Sequence, residues 1–367
     1  MKRQQRKHSV SILFDQYKYY PSLRSRPAEV LGYQKLSPKH KDSIIPTFTL
    51  GMWPRQSNIE VPLSKIVEAS SGRPFILDLT VEPSFLTDDI KQLKDSGANF
   101  KNWKDFILSI DAPVIPVIQI TSDSKTSQII RQARELEKTG CNKVAFKVRE
   151  FGEDTSKIIS ALSSLDSIEN AITIIDAGYV RDTLPASLAG CIATINEIRD
   201  EVEDAEITVM ATSFPSSVVS FLDPNSGGKR GLIAMYEAKI HEAIGSGAAI
   251  YGDHASIHSR VYITGGGRYT PRIDYPLNDA WIFERRPDNN SSGYIDAAKT
   301  LIKSYSEISD DDTWGAEMIR EAAKGYIDGM KTPASWIAAR VNMHLSKQID
   351  FRCSGKLDDE EDYDDLI

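Results

Sequence analysis

Short apolar runs, rich in β-branched residues and hardly interrupted by polar ones, recur along this chain. Eight stand out: Ile44–Leu50, Phe75–Leu79, Val114–Ile120, Lys143–Val148, Ala171–Asp176, Ile207–Ala211, Ala248–Tyr251 and Ala280–Phe283. Near-continuous apolar character is how strands buried on both faces read. Between several of them the pattern changes to helical spacing. Ile129, Ile130, Ala133 and Leu136 make one stripe, with Ser124 as N-cap and Gly140 as stop. Leu184, Leu188, Cys191, Ile192, Ile195, Ile198 and Val202 make a second, and Ile233, Tyr236, Ile240 and Ile244 a third, over 231–244. One apolar stripe per helix predicts helices that lie on a sheet. Ahead of the first run, Tyr17, Tyr19, Tyr20 and Leu23 suggest a short extended segment and Ala28–Leu36 a short helix.

Strands alternating with helices from residue 44 onward predict an α/β chain, specifically a (β/α)8 TIM-barrel-like domain spanning 17–350. An open doubly wound sheet is the alternative, but no Gly-x-Gly-x-x-Gly turn follows an early strand. Pro46 and Pro116 fall inside two of the runs and weaken either reading, since proline donates nothing to a ladder. Three further helical stretches, 292–307, 314–330 and 333–348, follow the eighth run as extra C-terminal helices. Trp281, Trp314 and Trp336 lie on apolar periodicities and are expected in the core.

Composition sharpens this picture at the ends. The 367 residues are 41% hydrophobic and 26% charged with a net charge of −8. That balance fits a globular chain and argues against bulk electrostatic binding of nucleic acid. Residues 1–16 read as a basic arm and 351–367 as an acidic tail whose like charges repel. No apolar run is long enough to span a membrane. Cys141, Cys191 and Cys353 have neither disulfide-framework nor metal-ligand spacing, so a cytoplasmic location is expected.

Strand parity places the candidate chemistry. Val144, Phe146 and Val148 form the apolar face of one strand, so Lys147 and Arg149 should point into the barrel. By the same parity Asp78 shares a face with Ile76, and Asp176 with Ile172 and Ile174. In a barrel of this kind working groups sit at the C-terminal strand ends. Asp78, Asp176 and Asp253 are therefore candidate ligands for Mg²⁺ or Ca²⁺. Lys147, Arg149, Arg268 and Arg285 are candidate anion contacts. His254 is a candidate general acid or base, with Asp176 and Asp253 beside it as catalytic groups. The competing reading pairs Asp78 and Asp176 with Lys147 and Arg149 as a structural ion network.

His258, four residues after His254, lies at a strand end and not on a helix, so a metal pair is not expected there. Gly265–Arg268, within the long 253–279 loop, reads as a lid or turn, with backbone N–H groups that an anion could use. Gly227-Gly228-Lys229-Arg230 lacks the spacing and hydroxyl of a phosphate loop. Nucleophile-elbow, His-Glu-x-x-His and Cys-x-x-Cys motifs are absent.

Three stretches resemble the beta-protein family, named after a T-even phage protein. They are Tyr20-Pro21-Ser22-Leu23-Arg24 with Ala28-Glu29, Leu36-Ser37-Pro38 and Ile44-Ile45-Pro46; Tyr251-Gly252-Asp253 with Tyr275 and Asp279-Ala280-Trp281; and Trp336 through Asn342, His344 and Leu345. His254 and Met343 depart from the family pattern. The resemblance implies a barrel-like fold and an origin in phages or bacterial islands concerned with phage–host conflict. It implies no particular reaction. Two functions are carried forward: a barrel that binds an anionic, phosphorylated small molecule, with metal-assisted, phosphodiesterase-like hydrolysis; or a non-catalytic component that recognises a protein partner of a defence system.

Overall fold

The computed structural model describes residues 12–56, 58–152, 154–260, 269–287 and 290–354. Eight parallel strands form its centre: β1 (Tyr19–Arg24), β2 (Thr47–Leu50), β3 (Phe75–Leu79), β4 (Val114–Pro116), β5 (Val144–Val148), β6 (Ala171–Tyr179), β7 (Glu206–Thr212) and β9 (Ile250–Asp253). Their order is β4-β3-β2-β1-β9-β7-β6-β5. A parallel bridge between Val117 and Ala145 joins the two ends, and Ile118 N–H donates to the Ala145 carbonyl at 2.8 Å. The sheet therefore closes into the expected (β/α)8 barrel.

Pro116 explains why that seam is narrow. In a parallel ladder alternate residues address alternate neighbours. Val117 N–H donates back to Leu77 on β3 and Ile118 N–H to β5. The donor missing at Pro116 would have faced β5, so pairing across the seam starts only after the proline.

The strand that completes the barrel is not the one expected. β1 pairs with both β2 and β9 and is the first barrel strand. The run at 280–283 lies in β11 (Ala280–Arg285), flanked by β10 (Arg272–Pro276) and β8 (Arg230–Ala234) in a separate antiparallel sheet. The stripe over 231–244 is correspondingly not one helix. It divides into β8 and α9 (Glu237–Ile244). Gly231 permits this: a Cβ there would stand 2.0 Å from the Phe221 carbonyl and 2.5 Å from the Phe283 ring.

Helices surround the barrel in order: α1 (Pro27–Gln34), α2 (Pro38–Asp42), α3 (Glu60–Ser70), α4 (Asp88–Leu93), α5 (Gly97–Ser109), α6 (Thr126–Glu137), α7 (Thr155–Leu162), α8 (Leu184–Glu201) and α9. The three extra C-terminal helices are α10 (Gly293–Ser304), α11 (Trp314–Ala323) and α12 (Pro333–Cys353). α12 packs against α1, α11, β1 and β10, tying the antiparallel sheet to the barrel wall. Gly32 allows the α1–α12 approach, since a Cβ there would lie 2.8 Å from Val341 Cβ. No helix among the described residues is long and apolar enough to cross a membrane.

Three apolar layers result. One lies between strands and outer helices, and includes Tyr19, Phe48, Phe146 and Tyr251. A second fills the barrel interior with Tyr20, Ile76, Ile115, Ala145, Ile172, Ile174 and Met210. Ile12 and Phe14, expected within the basic arm, are buried in that interior, and Tyr20 donates its hydroxyl hydrogen bond to the Phe14 carbonyl at 2.6 Å. The rest of the arm, 1–11, and the tail from 355 lie outside the described residues. The third layer packs β10 and β11 on α10–α12, with Trp336 buried; Trp281 is buried on the other side of β11, against Phe214.

Candidate functional site at the barrel mouth

The interior layer ends where the strands run out, and polar side chains take over. On four strands an inward-facing apolar residue is followed two positions later by a charged or polar one: Ile76 by Asp78, Ala145 by Lys147, Ile174 by Asp176, Tyr20 by Ser22 and then Arg24. Together these line a cavity of about 260 Å³ at the C-terminal face.

At its floor Asp78, 1% exposed, accepts hydrogen bonds from three donors. Arg149 Nη2 approaches its two oxygens at 2.7 and 2.6 Å. Leu79 N–H donates at 2.8 Å and Gln119 Nε2 at 3.3 Å. Lys147 Nζ lies between two carboxylates, 2.9 Å from Asp176 Oδ2 and 3.8 Å from Asp78 Oδ2. Asp176 Oδ1 accepts from His254 Nε2 at 2.8 Å and from Gly178 N–H at 3.0 Å. Burial alone would push both carboxyls up. The Arg149 and Lys147 charges hold Asp78 below its ordinary value, and Lys147 and His254 hold Asp176 well below.

The backbone that presents Asp176 is irregular. Asp176 and Tyr179 on β6 pair with Met210 and Thr212 on β7, so one extra residue is accommodated. Gly178, at φ +64°, takes the left-handed turn this requires. The bulge turns the Asp176 carboxylate to the mouth and the Gly178 N–H onto that carboxylate.

The structure brings Asp78, Lys147, Arg149, Asp176 and His254 together, as parity predicts. It does not bring Asp253 to them. Tyr251 and Asp253 face outward from β9, while Gly252 and His254 face the interior. A Cβ at Gly252 would meet Met210 Cγ at 2.7 Å inside the barrel. Asp253 is fully buried and receives Tyr19 Oη at 2.6 Å, Tyr251 Oη at 2.9 Å, His344 Nε2 at 2.8 Å and Ala255 N–H at 2.8 Å. Against the cost of burial, His344 and these hydrogen bonds lower it to about 2. The expected carboxylate trio for Mg²⁺ or Ca²⁺ therefore does not assemble. Between the two carboxylates that do converge stands the Lys147 ammonium. Among the described residues no group of three or more His, Cys, Asp and Glu side chains is placed to hold a metal.

Arg285 is also elsewhere, on β11 of the antiparallel sheet, paired in register with Arg272. Arg268 and the glycines before it lie outside the described residues.

Residues not anticipated from the sequence complete the mouth: Arg24, Arg26, Glu29, His258 and Arg260. Arg24 is anchored by Glu29, with Nε at 3.0 Å from Oε1 and its backbone N–H at 2.6 Å from Oε2. The Arg26 guanidinium lies over Phe85, 4.9 Å from the ring centroid. His258 stacks on Tyr179 at 4.4 Å. The alternation Tyr20, Ser22, Arg24 is the signal that β1 has an inward face. An isolated extended segment has no inward face, so only the pairing of β1 with β2 and β9 puts Arg24 at the mouth.

Comparison with known proteins bears on the whole chain. The family model described as Beta protein matches residues 19–350. The chain is 45% identical over 359 residues to "Protein beta" of Enterobacteria phage P4, covering 98% of this chain and 100% of that protein.

Proposed function

The chain belongs to the beta-protein family, and we propose that the mouth of its barrel binds a small anionic, phosphorylated ligand, with His254 exchanging a proton with it. The observation that carries this reading is the state of Arg149. Asp78 holds it through Nη2 alone. Among the described residues its Nε and Nη1 donors have no protein partner, and the side chain lines the cavity. A guanidinium anchored at Nη2 keeps its Nε–H and Nη1 hydrogens, on separate edges, for hydrogen bonds to the oxygens of a phosphate.

His254 supplies the chemistry. Asp176 is ionised, so Nε2 carries the proton of the His254–Asp176 hydrogen bond. Nδ1 is then the atom that takes a proton. In phosphodiesterase-like hydrolysis, water attacks phosphorus as His254 removes its proton. The ester P–O bond breaks, and the leaving oxygen takes the proton back from the imidazolium. Arg149 offsets the charge on the phosphoryl oxygens. Lys147 occupies the space between Asp78 and Asp176, so no metal enters this scheme.

One observation favours a second reading, binding without turnover. The floor charges neutralise each other, Asp78 with Arg149 and Asp176 with Lys147. A phage–host conflict component that recognises its partner through the mouth needs no more than that.

Asp176→Asn separates these readings. The assay is hydrolysis of bis-p-nitrophenyl phosphate, with melting followed in parallel. Hydrolysis in the wild type and its loss, by 100-fold or more, in a variant that melts within a few degrees supports catalysis. Phosphate-ester binding without hydrolysis in either protein favours recognition. A collapse of melting temperature with no ligand bound by the wild type assigns the cluster to structure alone.

A further inference from the structure

The cavity has two unlike sides. β3, β5 and β6, with His254 just after β9, contribute the charged floor described above. The loops after β2 and β3 contribute Met52, Val81 and Phe85, of which Met52 is 39% and Val81 52% exposed. A bare phosphate has no use for that apolar wall, and a phosphorylated sugar can offer it only the small C–H face of its ring.

Arg26 defines what the wall can hold. It is half-buried, lines the cavity and places its guanidinium carbon over the Phe85 ring, 4.9 Å from the centroid. Its side chain makes no hydrogen bond or ion pair among the described residues. The acidic group nearest in sequence, Glu29, is taken by Arg24. Burial, with the Arg24 charge, draws the Arg26 guanidinium below its ordinary value, and the nearby Glu29 charge offsets only part of this. A guanidinium that rests on an aromatic ring and has no carboxylate partner keeps its second face for another flat, conjugated group. Stacking of a base on an arginine plane backed by an aromatic side chain is a general mode of nucleobase recognition.

The geometry points to a nucleoside phosphate as the ligand: the base on the Arg26–Phe85 platform against Met52 and Val81, the phosphate on Arg149. This rests on the phosphate reading above and adds the identity of the second half of the ligand. The volume of about 260 Å³ limits the site to one small molecule, falling just below the roughly 300–1,000 Å³ usual for ligand sites.

The test is isothermal titration of the full chain with AMP, GMP, CMP and UMP, and separately with ribose 5-phosphate and inorganic phosphate. At least one nucleotide is expected to bind tenfold or more tighter than ribose 5-phosphate. Arg26→Lys keeps the charge and removes the plane; Phe85→Leu keeps apolar bulk and removes the ring. Each should erase most of the nucleotide advantage while leaving ribose 5-phosphate affinity within about twofold. Ribose 5-phosphate binding as tightly as every nucleotide, or an advantage that survives both substitutions, overturns the platform and leaves the phosphate site standing. Absence of binding by all six probes overturns the phosphate reading and the platform with it.

Discussion

Asp176 and Asp253 sit at the ends of two barrel strands separated only by β7, and they do different things. Asp176 faces the mouth, 13% of its side chain exposed, and its partners Lys147 and His254 line the same cavity. Asp253 faces the helical layer with no exposure, and two tyrosines, a histidine and a backbone N–H close around it. The first arrangement leaves room for a ligand. The second joins β1, β9 and α12 into one unit. Asp253, the last residue of β9, and His254, the next residue, serve the two networks separately, because successive side chains on an extended chain leave on opposite sides. A carboxylate at a strand end is thus a candidate for chemistry only on the inward parity. On the outward parity it is a joint.

The largest effect is expected at the Asp253–His344 joint. His344→Ala leaves Asp253 buried with two tyrosine hydroxyls but no cationic or imidazole partner. Removing one member of a buried pair costs about 3–5 kcal/mol. Urea unfolding at neutral pH should show a loss of that size, with phosphate-ester binding by the folded fraction unchanged. A loss below about 1 kcal/mol would mean that α12 is held without this contact.

Acid separates the two regions by a smaller amount. Asp253 is held at about 2, against about 3.9 in an unfolded chain. A depressed carboxyl contributes stability that is fully present above the unfolded value and lost as pH falls through the folded one. Its share is about 2–3 kcal/mol, lost between roughly pH 5 and pH 1. Asp78 and Asp176 act in the same direction. Unfolding free energy measured from pH 6 down to pH 2 should therefore fall in the wild type. It should fall less steeply in His344→Ala, where the Asp253 share is reduced. Parallel slopes in the two proteins would refute the assignment.

The smallest effect is expected at Arg285. It lies on the antiparallel sheet, outside both networks. Arg285→Ala should change stability by less than about 0.5 kcal/mol and leave ligand titrations at the mouth superimposable on the wild type. A tenfold loss of affinity would place the sheet at the site.

Much of this was legible in the sequence, for a local reason. Side-chain parity is a property of a few consecutive residues. Val144, Phe146 and Val148 therefore sufficed to turn Lys147 and Arg149 inward, and Ile172 and Ile174 did the same for Asp176. The β/α alternation and the burial of Trp281 and Trp336 follow from equally local periodicities. Gly252 shows where that reasoning stopped. Its missing side chain makes room for Met210, so it faces inward and sends Asp253 outward, but the run Ala248–Tyr251 is apolar on both faces and carries no parity signal.

Other features were settled only by the folded chain. Tyr19–Arg24 and Ala280–Arg285 are both short and apolar, and nothing within either says which one closes a barrel. That choice rests on hydrogen bonds between β1 and β9, which lie more than 200 residues apart, and on the pairing of β11 with β8 and β10. With β1 in the barrel, Arg24 and Arg26 arrive at the mouth and His344 reaches Asp253. The sequence by itself determined which faces of the strands are charged. Closure of the sheet, which is non-local, decided which of those charges meet.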